Sequence, residues 1–194
     1  AALSSRKTYA PKALEMFTKM KLLKVTPNLE TYSNVLKATG KLGDLYQANE
    51  IIKEIKAMNY EINEYIITGL LNTYASAIRN PLLTNELQKE YLTDSWELIN
   101  YCEDNNIKIN NFIANSLLMC YCNAQKWDEV DNRIIPFFNK HKLKLDVHSY
   151  DSIIRMLIEM ENFNGLIQVC SDMKLHNIEP NQNILNNLLE SYMR

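Results

Sequence analysis

The sequence predicts an all-α solenoid of helical hairpins, on three observations. Asn28, Asn63, Asn110, Asp146 and Asn181 stand 35, 47, 36 and 35 residues apart. Ser33, Thr68, Asn115, Asp151 and Asn186 follow five residues behind in the same steps. Two short polar sites locked through one period mean that a structural unit is being copied, with both sites at set places within it. The third observation is compositional: four Gly and five Pro in 194 residues are too few for the turns of an all-β domain, whereas 46% apolar residues suffice for a continuous core.

The elements follow from the unit that spans residues 29–63. In LETYSNVLKATGKLG, Tyr32, Val35, Leu36 and Thr39 recur at helical spacing, and the GKLGD run ends this first helix in a turn. In DLYQANEIIKEIKAMN, Asp44 is a candidate N-cap, and Leu45, Ala48, Ile51, Ile52, Ile55 and Met58 form a second apolar stripe. The small Ala48 lets the two helices of the hairpin approach closely. Each hairpin leaves an apolar face that only its neighbour can cover.

Residues 147–181 repeat the plan in full: HSYDSIIRMLIEM, a short ENFNG turn, then LIQVCSDMKLHNIEPN. Residues 111–146 carry one more residue, and Pro136 inside the second helix predicts a local kink or an early end there. Residues 64–110 carry twelve extra residues near 78–93; Pro81 breaks the pattern, and TNELQKEYLTD predicts an early start to a lengthened second helix running through Trp96 and Leu98. Residues 11–28 read as a second helix without its first, and 182–194 as a first helix without its second, giving ten helices. Residues 1–10 are expected to form an extension. The basic, Ser-containing opening, a start at Ala1 and the flanking half-units suggest the ordered part of a longer, processed product.

Composition excludes several classes. No stretch reaches the ~20 apolar residues that a membrane span needs. Cys102, Cys120, Cys122 and Cys170 lack metal or disulfide spacing; Cys120 and Cys122, two apart on a helix, point about 200° from each other, so small buried fillers are expected. His141, His148 and His176 show no zincin spacing, and no Gly-rich phosphate loop occurs. Asp128, Glu129 and Asp131 at a helix start read as charges complementing the helix dipole. No enzyme, cofactor, metal or small-molecule substrate is expected. Trp127, Phe137 and Phe138 are candidate anchors for a protein partner, although packing between repeats is the commoner use of such residues.

The string TPNLETYSNVLKATGKLGDLYQANEIIKEI resembles a pentatricopeptide repeat, and SYDSII with EPN extends the resemblance to residues 147–181. The tetratricopeptide pattern of Trp, Leu-Gly and Tyr in the first helix is absent from every unit. The resemblance implies a right-handed α-solenoid that binds single-stranded RNA, one base per repeat, on its concave face. It makes the two combs the base readers: Ser33 with Asn63, Thr68 with Asn110, Asn115 with Asp146, Asp151 with Asn181, and the flanking Asn28 and Asn186. Ser33 with Asn63 and Thr68 with Asn110 resemble adenine-preferring pairs, and Asn115 with Asp146 a uracil-preferring one, so the implied preference is A-A-U-N. The same residues also suit helix caps and turns.

Other positions depart from the family pattern. Where small aliphatic residues would sandwich a base, this chain has Glu30, Tyr65, Phe112, His148 and Asn183; of these Tyr65, Phe112 and His148 are expected to stack. Lys41 matches the family's backbone-contacting lysine, whereas Ser76, Asn123 and Glu159 do not. Residues 1–63 carry ten Lys or Arg against six acids and residues 64–194 eleven against seventeen, a net +4 followed by −6. Phosphate neutralisation therefore favours RNA only over the first third. Two functions compete: a non-catalytic organellar RNA-binding protein, or a scaffold subunit of a mitochondrial ribosome or related ribonucleoprotein touching proteins and rRNA. Mitochondrial localisation, with plastid second, is what the resemblance implies. No deaminase-type His-x-Glu with a later Cys-x-x-Cys occurs.

Overall fold

The computed structural model describes residues 2–192, with side chains described over 9–191. Ten helical bodies occur among them: α1 (Ala2–Leu22), α2 (Leu29–Leu42), α3 (Leu45–Ala57), α4 (Glu64–Ile78), α5 (Asn85–Asp104), α6 (Asn111–Asn123), α7 (127–140), α8 (Val147–Glu159), α9 (Phe163–Leu175) and α10 (Gln182–Tyr192). The pairs α2–α3, α4–α5, α6–α7 and α8–α9 are hairpins, flanked by the single helices α1 and α10. The fold is an all-α solenoid.

Helix ends follow local chemistry. Gly43 ends α2 at φ +68°, a conformation that glycine adopts without steric cost, and its amide reaches back to the Thr39 carbonyl. Asp44 then caps α3 by accepting from the Gln47 N–H at 3.0 Å. Thr84 caps the lengthened α5, so the surplus residues of this unit fall in the 79–84 loop and the first turns of α5.

A third comb emerges at the ends of the second helices. Lys24, Asn59, Asn106, Lys142 and Asn177 all have φ near +55°, in the same 35, 47, 36 and 35 steps. The following amide in each case reaches back five residues, as from Tyr60 to the Ile55 carbonyl and from Ile107 to that of Cys102. Each of these residues lies four before a comb cap, so the joint between repeats keeps one geometry while length varies inside the hairpins.

Of the two alternatives expected at Pro136, an early end does not occur, and the irregularity is local: α7 opens into a wide π-turn over Val130–Ile134 and continues as Ile135–Lys140. The widened turn accommodates a residue that lacks an amide proton, which keeps the irregularity local. Residues 2–10 are helical and continuous with α1, Pro11 lying inside that helix, so they form no separate extension.

Consecutive first helices α2, α4, α6, α8 and α10 pack directly on one another, while the second helices lie outside and touch chiefly their own hairpin partners. The first helices therefore form the directly stacked layer, and the second helices the other. Gly69 sits where α4 crosses α2: a Cβ there would stand 2.9 Å from Leu36 Cβ. Polar ties reinforce the layer. Thr39 and Thr73 hydroxyls meet at 3.3 Å, Ser76 donates to the Gly40 carbonyl, and the Asn123 amide donates to the Ala75 carbonyl at 2.7 Å.

The core is two apolar clusters, one around Tyr32, Leu36, Ile51, Ile55 and Ile66 and one from Ile67 to Ile184, with Ile62 and Leu98 packed against both. Cys102, Cys120 and Cys122 are buried within the second, and burial pushes the first two thiols up to about 11 and about 12. Phe137 and Phe138 are also core, at 5% and 1% exposure, and are therefore not surface anchors. No described helix is long and apolar enough to cross a membrane.

Candidate nucleic-acid interface

Every residue of the first comb is a helix cap. Asn28, Asn63, Asn110, Asp146 and Asn181 each have a side-chain oxygen that accepts amide protons from the first turn of the next first helix. For the asparagines this leaves the side-chain NH2 as the free recognition group, because the oxygen is engaged.

The second comb lies one turn further along the same helices. Ser33 donates its proton to the Leu29 carbonyl at 2.9 Å and is 8% exposed, so little of its hydroxyl is open to a ligand. Thr68 donates to the Glu64 carbonyl at 2.7 Å but remains half-buried, its oxygen lone pairs available as acceptors. Asp151 accepts from the Asn187 amide at 3.4 Å, and Asn186 is exposed. Glu30, Tyr65, Phe112, His148 and Asn183 all project into solvent from the first turns of their helices, and Lys41 is exposed at the end of α2.

One pair is built into an open cleft. Glu64, Tyr65, Thr68, Gly69 and Asn72 of α4 face Asn110 and Phe112 around the start of α6, with Lys37 of α2 opposing the charge of Glu64, across a cavity of about 260 Å3. Tyr65 and Phe112 are 60% and 74% exposed, large aromatic faces with no packing role to explain them. Thr68 supplies an acceptor, Asn110 a donor, and the aromatics flank both. Asn72 is held through its oxygen by the Ser116 hydroxyl at 3.0 Å, leaving its NH2 free.

The next pair is closed. Asn115 donates to both carboxylate oxygens of Asp146, at 3.2 and 3.0 Å, and its own oxygen accepts from the Ser149 hydroxyl at 2.6 Å. Asp146 also accepts from the amides of His148 and Ser149, and Asn111 donates to it at 3.5 Å. Burial raises the Asp146 pKa, but these donors outweigh it and hold the carboxyl below its ordinary 3.8. A base entering here must displace a formed network.

The remaining positions carry structural ties. Ser76 and Asn123, where the family has its backbone-contacting lysine, are bonded to the preceding first helix, and Glu159 pairs with Arg79 at 3.5 Å. The sequence reading missed Lys37 and Asn72. Both lie four residues after comb members, Ser33 and Thr68, and i, i+4 spacing on one helix face was the signal. It also missed the latch partners Asn111 and Ser149; Ser149, three after Asp146, completes a capping box.

A helical-hairpin solenoid with a polar comb along its stacked first helices defines the class of molecule. Family models agree: one described as pentatricopeptide repeat domain matches residues 5–42 and 133–194, and one described as PPR repeat matches residues 30–60. The chain belongs to the pentatricopeptide repeat family. Among solved structures it is similar to the maize pentatricopeptide repeat protein PPR10 in complex with an 18-nucleotide psaJ RNA element. That match has a TM-score of 0.79 at 17% identity, over 91% of this chain and 24% of that one. It is also similar to the PPR domain of Arabidopsis thaliana protein-only RNase P 1 in complex with tRNA, with a TM-score of 0.64 at 10% identity, over 100% of this chain and 95% of that domain. The chain thus spans about a quarter of the length of PPR10. No curated protein sequence matches it.

Proposed function

We propose that the chain binds single-stranded RNA along its first-helix face and acts by occupancy, without chemistry of its own. The observation that carries this reading is the cleft between α4 and α6, where two exposed aromatics flank an acceptor and a donor at Thr68 and Asn110. Stacking between Tyr65 and Phe112 would hold a base, and the polar pair would read its edge. The family, and RNA in the structures of PPR10 and of the RNase P domain, support the reading. Within the A-A-U-N order that the family pattern implies, the preference proposed is for adenine at Thr68 and Asn110, the pair that is open. Ser33 is engaged with the Leu29 carbonyl, and the Asn115–Asp146 pair is closed. Mitochondria are the proposed location.

A second reading is a scaffold subunit of a mitochondrial ribosome or related ribonucleoprotein, contacting proteins and rRNA backbone. The closed Asn115–Asp146 network and the −6 balance of residues 64–194 favour it. Fluorescence anisotropy with short AAU-containing and scrambled RNAs separates the two: equal affinity removes base readout. Sizing of lysate with and without RNase adds a second criterion, because a scaffold subunit co-sediments with ribosomal proteins whereas a free RNA binder shifts to low mass.

A further inference from the structure

The two departures of this chain from its own repeat, the lengthened α5 and the π-turn of α7, meet at one groove of about 740 Å3 on the second-helix side of the molecule. The guanidinium of Arg133, within the π-turn, stands over the Trp96 indole, its carbon 3.8 Å from the ring centre. Phe137 meets the indole edge-on at 5.6 Å, which steadies the ring. A guanidinium stacked by its face keeps its N–H edge free, the arrangement that grips a carboxylate through two parallel bonds. Its one ionic contact, to Glu129, is long at 3.8 Å and half-exposed.

The floor of the groove holds a second sign of a ligand. Tyr121 is 1% exposed, lines the groove, and its hydroxyl has no hydrogen-bond partner among the described residues. No fully buried polar atom lacks a partner among those residues, so this oxygen reaches the open space of the groove. The equivalent residue one repeat earlier, 47 positions before, is Tyr74, whose hydroxyl donates to Asp94 at 3.2 Å. The same position is satisfied internally in one repeat and left vacant in the next. Burial pushes the Tyr121 phenol up to about 12, so it stays protonated and can donate.

We propose that this groove binds an acidic peptide segment of a partner protein, with an Asp or Glu side chain received by Arg133 and Tyr121. Lys89 and Lys126 at the rim make the groove net positive within an acidic stretch of the chain, and they attract such a segment. Glu97 and Glu129 inside the groove argue against a nucleic acid. A phosphate chain brings a charge at every nucleotide, whereas a peptide can place one carboxylate at Arg133 and keep neutral residues beside the two acids. The groove shares no lining residue with the cleft between α4 and α6, so peptide and RNA would bind together.

Selection of random peptides of about a dozen residues on the immobilised chain, with excess poly(A) present, tests this. Peptides with an isolated Asp or Glu among neutral residues should be enriched. In anisotropy, Arg133→Gln and Tyr121→Phe should each weaken the selected peptide about tenfold. Tyr121→Phe should leave the melting temperature unchanged, because its hydroxyl has no partner to lose. Selected peptides that lack acids, or that bind both variants as tightly as the parent, overturn the proposal. So does recovery of no acidic peptide while poly(A) affinity falls in Arg133→Gln, which would assign the groove to RNA.

Discussion

Two neighbouring positions of the comb have equivalent sequence places and opposite availability. At Thr68 and Asn110 the polar groups point into a cleft between exposed Tyr65 and Phe112. At Asn115 and Asp146 they point at each other and are closed over by Ser149 and Asn111. Repetition of a fold repeats the placement of a side chain but not its freedom. That freedom depends on what neighbouring residues donate: Asn110 keeps an unused NH2, while the Asp146 carboxylate attracts every donor in reach.

The largest effect should come from the walls of the open cleft. Tyr65→Ala and Phe112→Ala each remove a stacking face worth roughly 1–3 kcal/mol, a loss of about 5-fold to 150-fold in affinity for short adenine-rich RNA. Asn115→Ala, within the latch, should change that affinity less than about twofold, since its amide is already engaged. Anisotropy titrations of the three variants side by side check the contrast. Equal losses at both positions would end it.

The next effect concerns what holds the cleft's wall in place. Gly69→Ala puts a Cβ within 2.9 Å of the Cβ of fully buried Leu36, which has no room to retreat. Overpacking costs about 1–3 kcal/mol and helix propensity returns about 1, so a net loss of about 1 kcal/mol is expected. For a chain of this size that lowers the melting temperature by about 2–4 °C. RNA affinity should fall too, because α2 carries Lys37 and α4 carries Thr68 into the same cleft. A variant as stable as the parent would mean that the two helices separate more easily than their packing indicates.

The contrast between the two positions also marks how far the sequence could be read. Hairpins, their order, the lengthened α5 and the Asp44 cap follow from periodicity and turn chemistry, which are local along the chain. The combs were legible as positions, and Thr68, Asn110, Tyr65 and Phe112 do converge. The latch was not legible, because it joins Asn111 and Asn115 to Asp146, partners 35 and 31 residues away whose contact depends on how two repeats stack. The packing of Phe137 and Phe138 agrees with the commoner use of such residues, whereas the π-turn just before them was not legible, because periodicity assumes an unbroken α-helix. The αL comb at Lys24, Asn59, Asn106, Lys142 and Asn177 escaped notice because two of its members are lysines, a residue type not associated with that conformation.

Acidity should distinguish the two caps. Because the folded Asp146 carboxyl titrates below its ordinary 3.8, it stabilises the fold above that value, and the contribution is lost as pH falls through the lower folded pKa. Asn110 caps without a charge and has no such dependence. Asp146→Asn should therefore lose about 1 kcal/mol at neutral pH, the scale of a cap, with the difference from the parent closing below about pH 3.8. Thermal melts from pH 7 to pH 3 measure both ends. A constant gap across that range would show that Asp146 carries no linkage and that the latch is not ionic.

The smallest effect lies at the joints that precede the two positions. Asn106 stands four residues before Asn110, and Lys142 four before Asp146, both at φ near +55°. Asparagine tolerates this conformation better than lysine, whose Cβ crowds the following carbonyl at a cost of about 1–2 kcal/mol that the Asn side chain partly offsets. Lys142 is exposed, so Lys142→Asn removes strain with little lost packing and should stabilise the chain by a few tenths of a kcal/mol, about 1 °C in melting temperature. The reverse change, Asn106→Lys, should destabilise by a similar amount and leave RNA affinity unaltered. If both changes move stability in the same direction, the joints are not equivalent, and the shared four-residue spacing hides two different ways of turning from one repeat to the next.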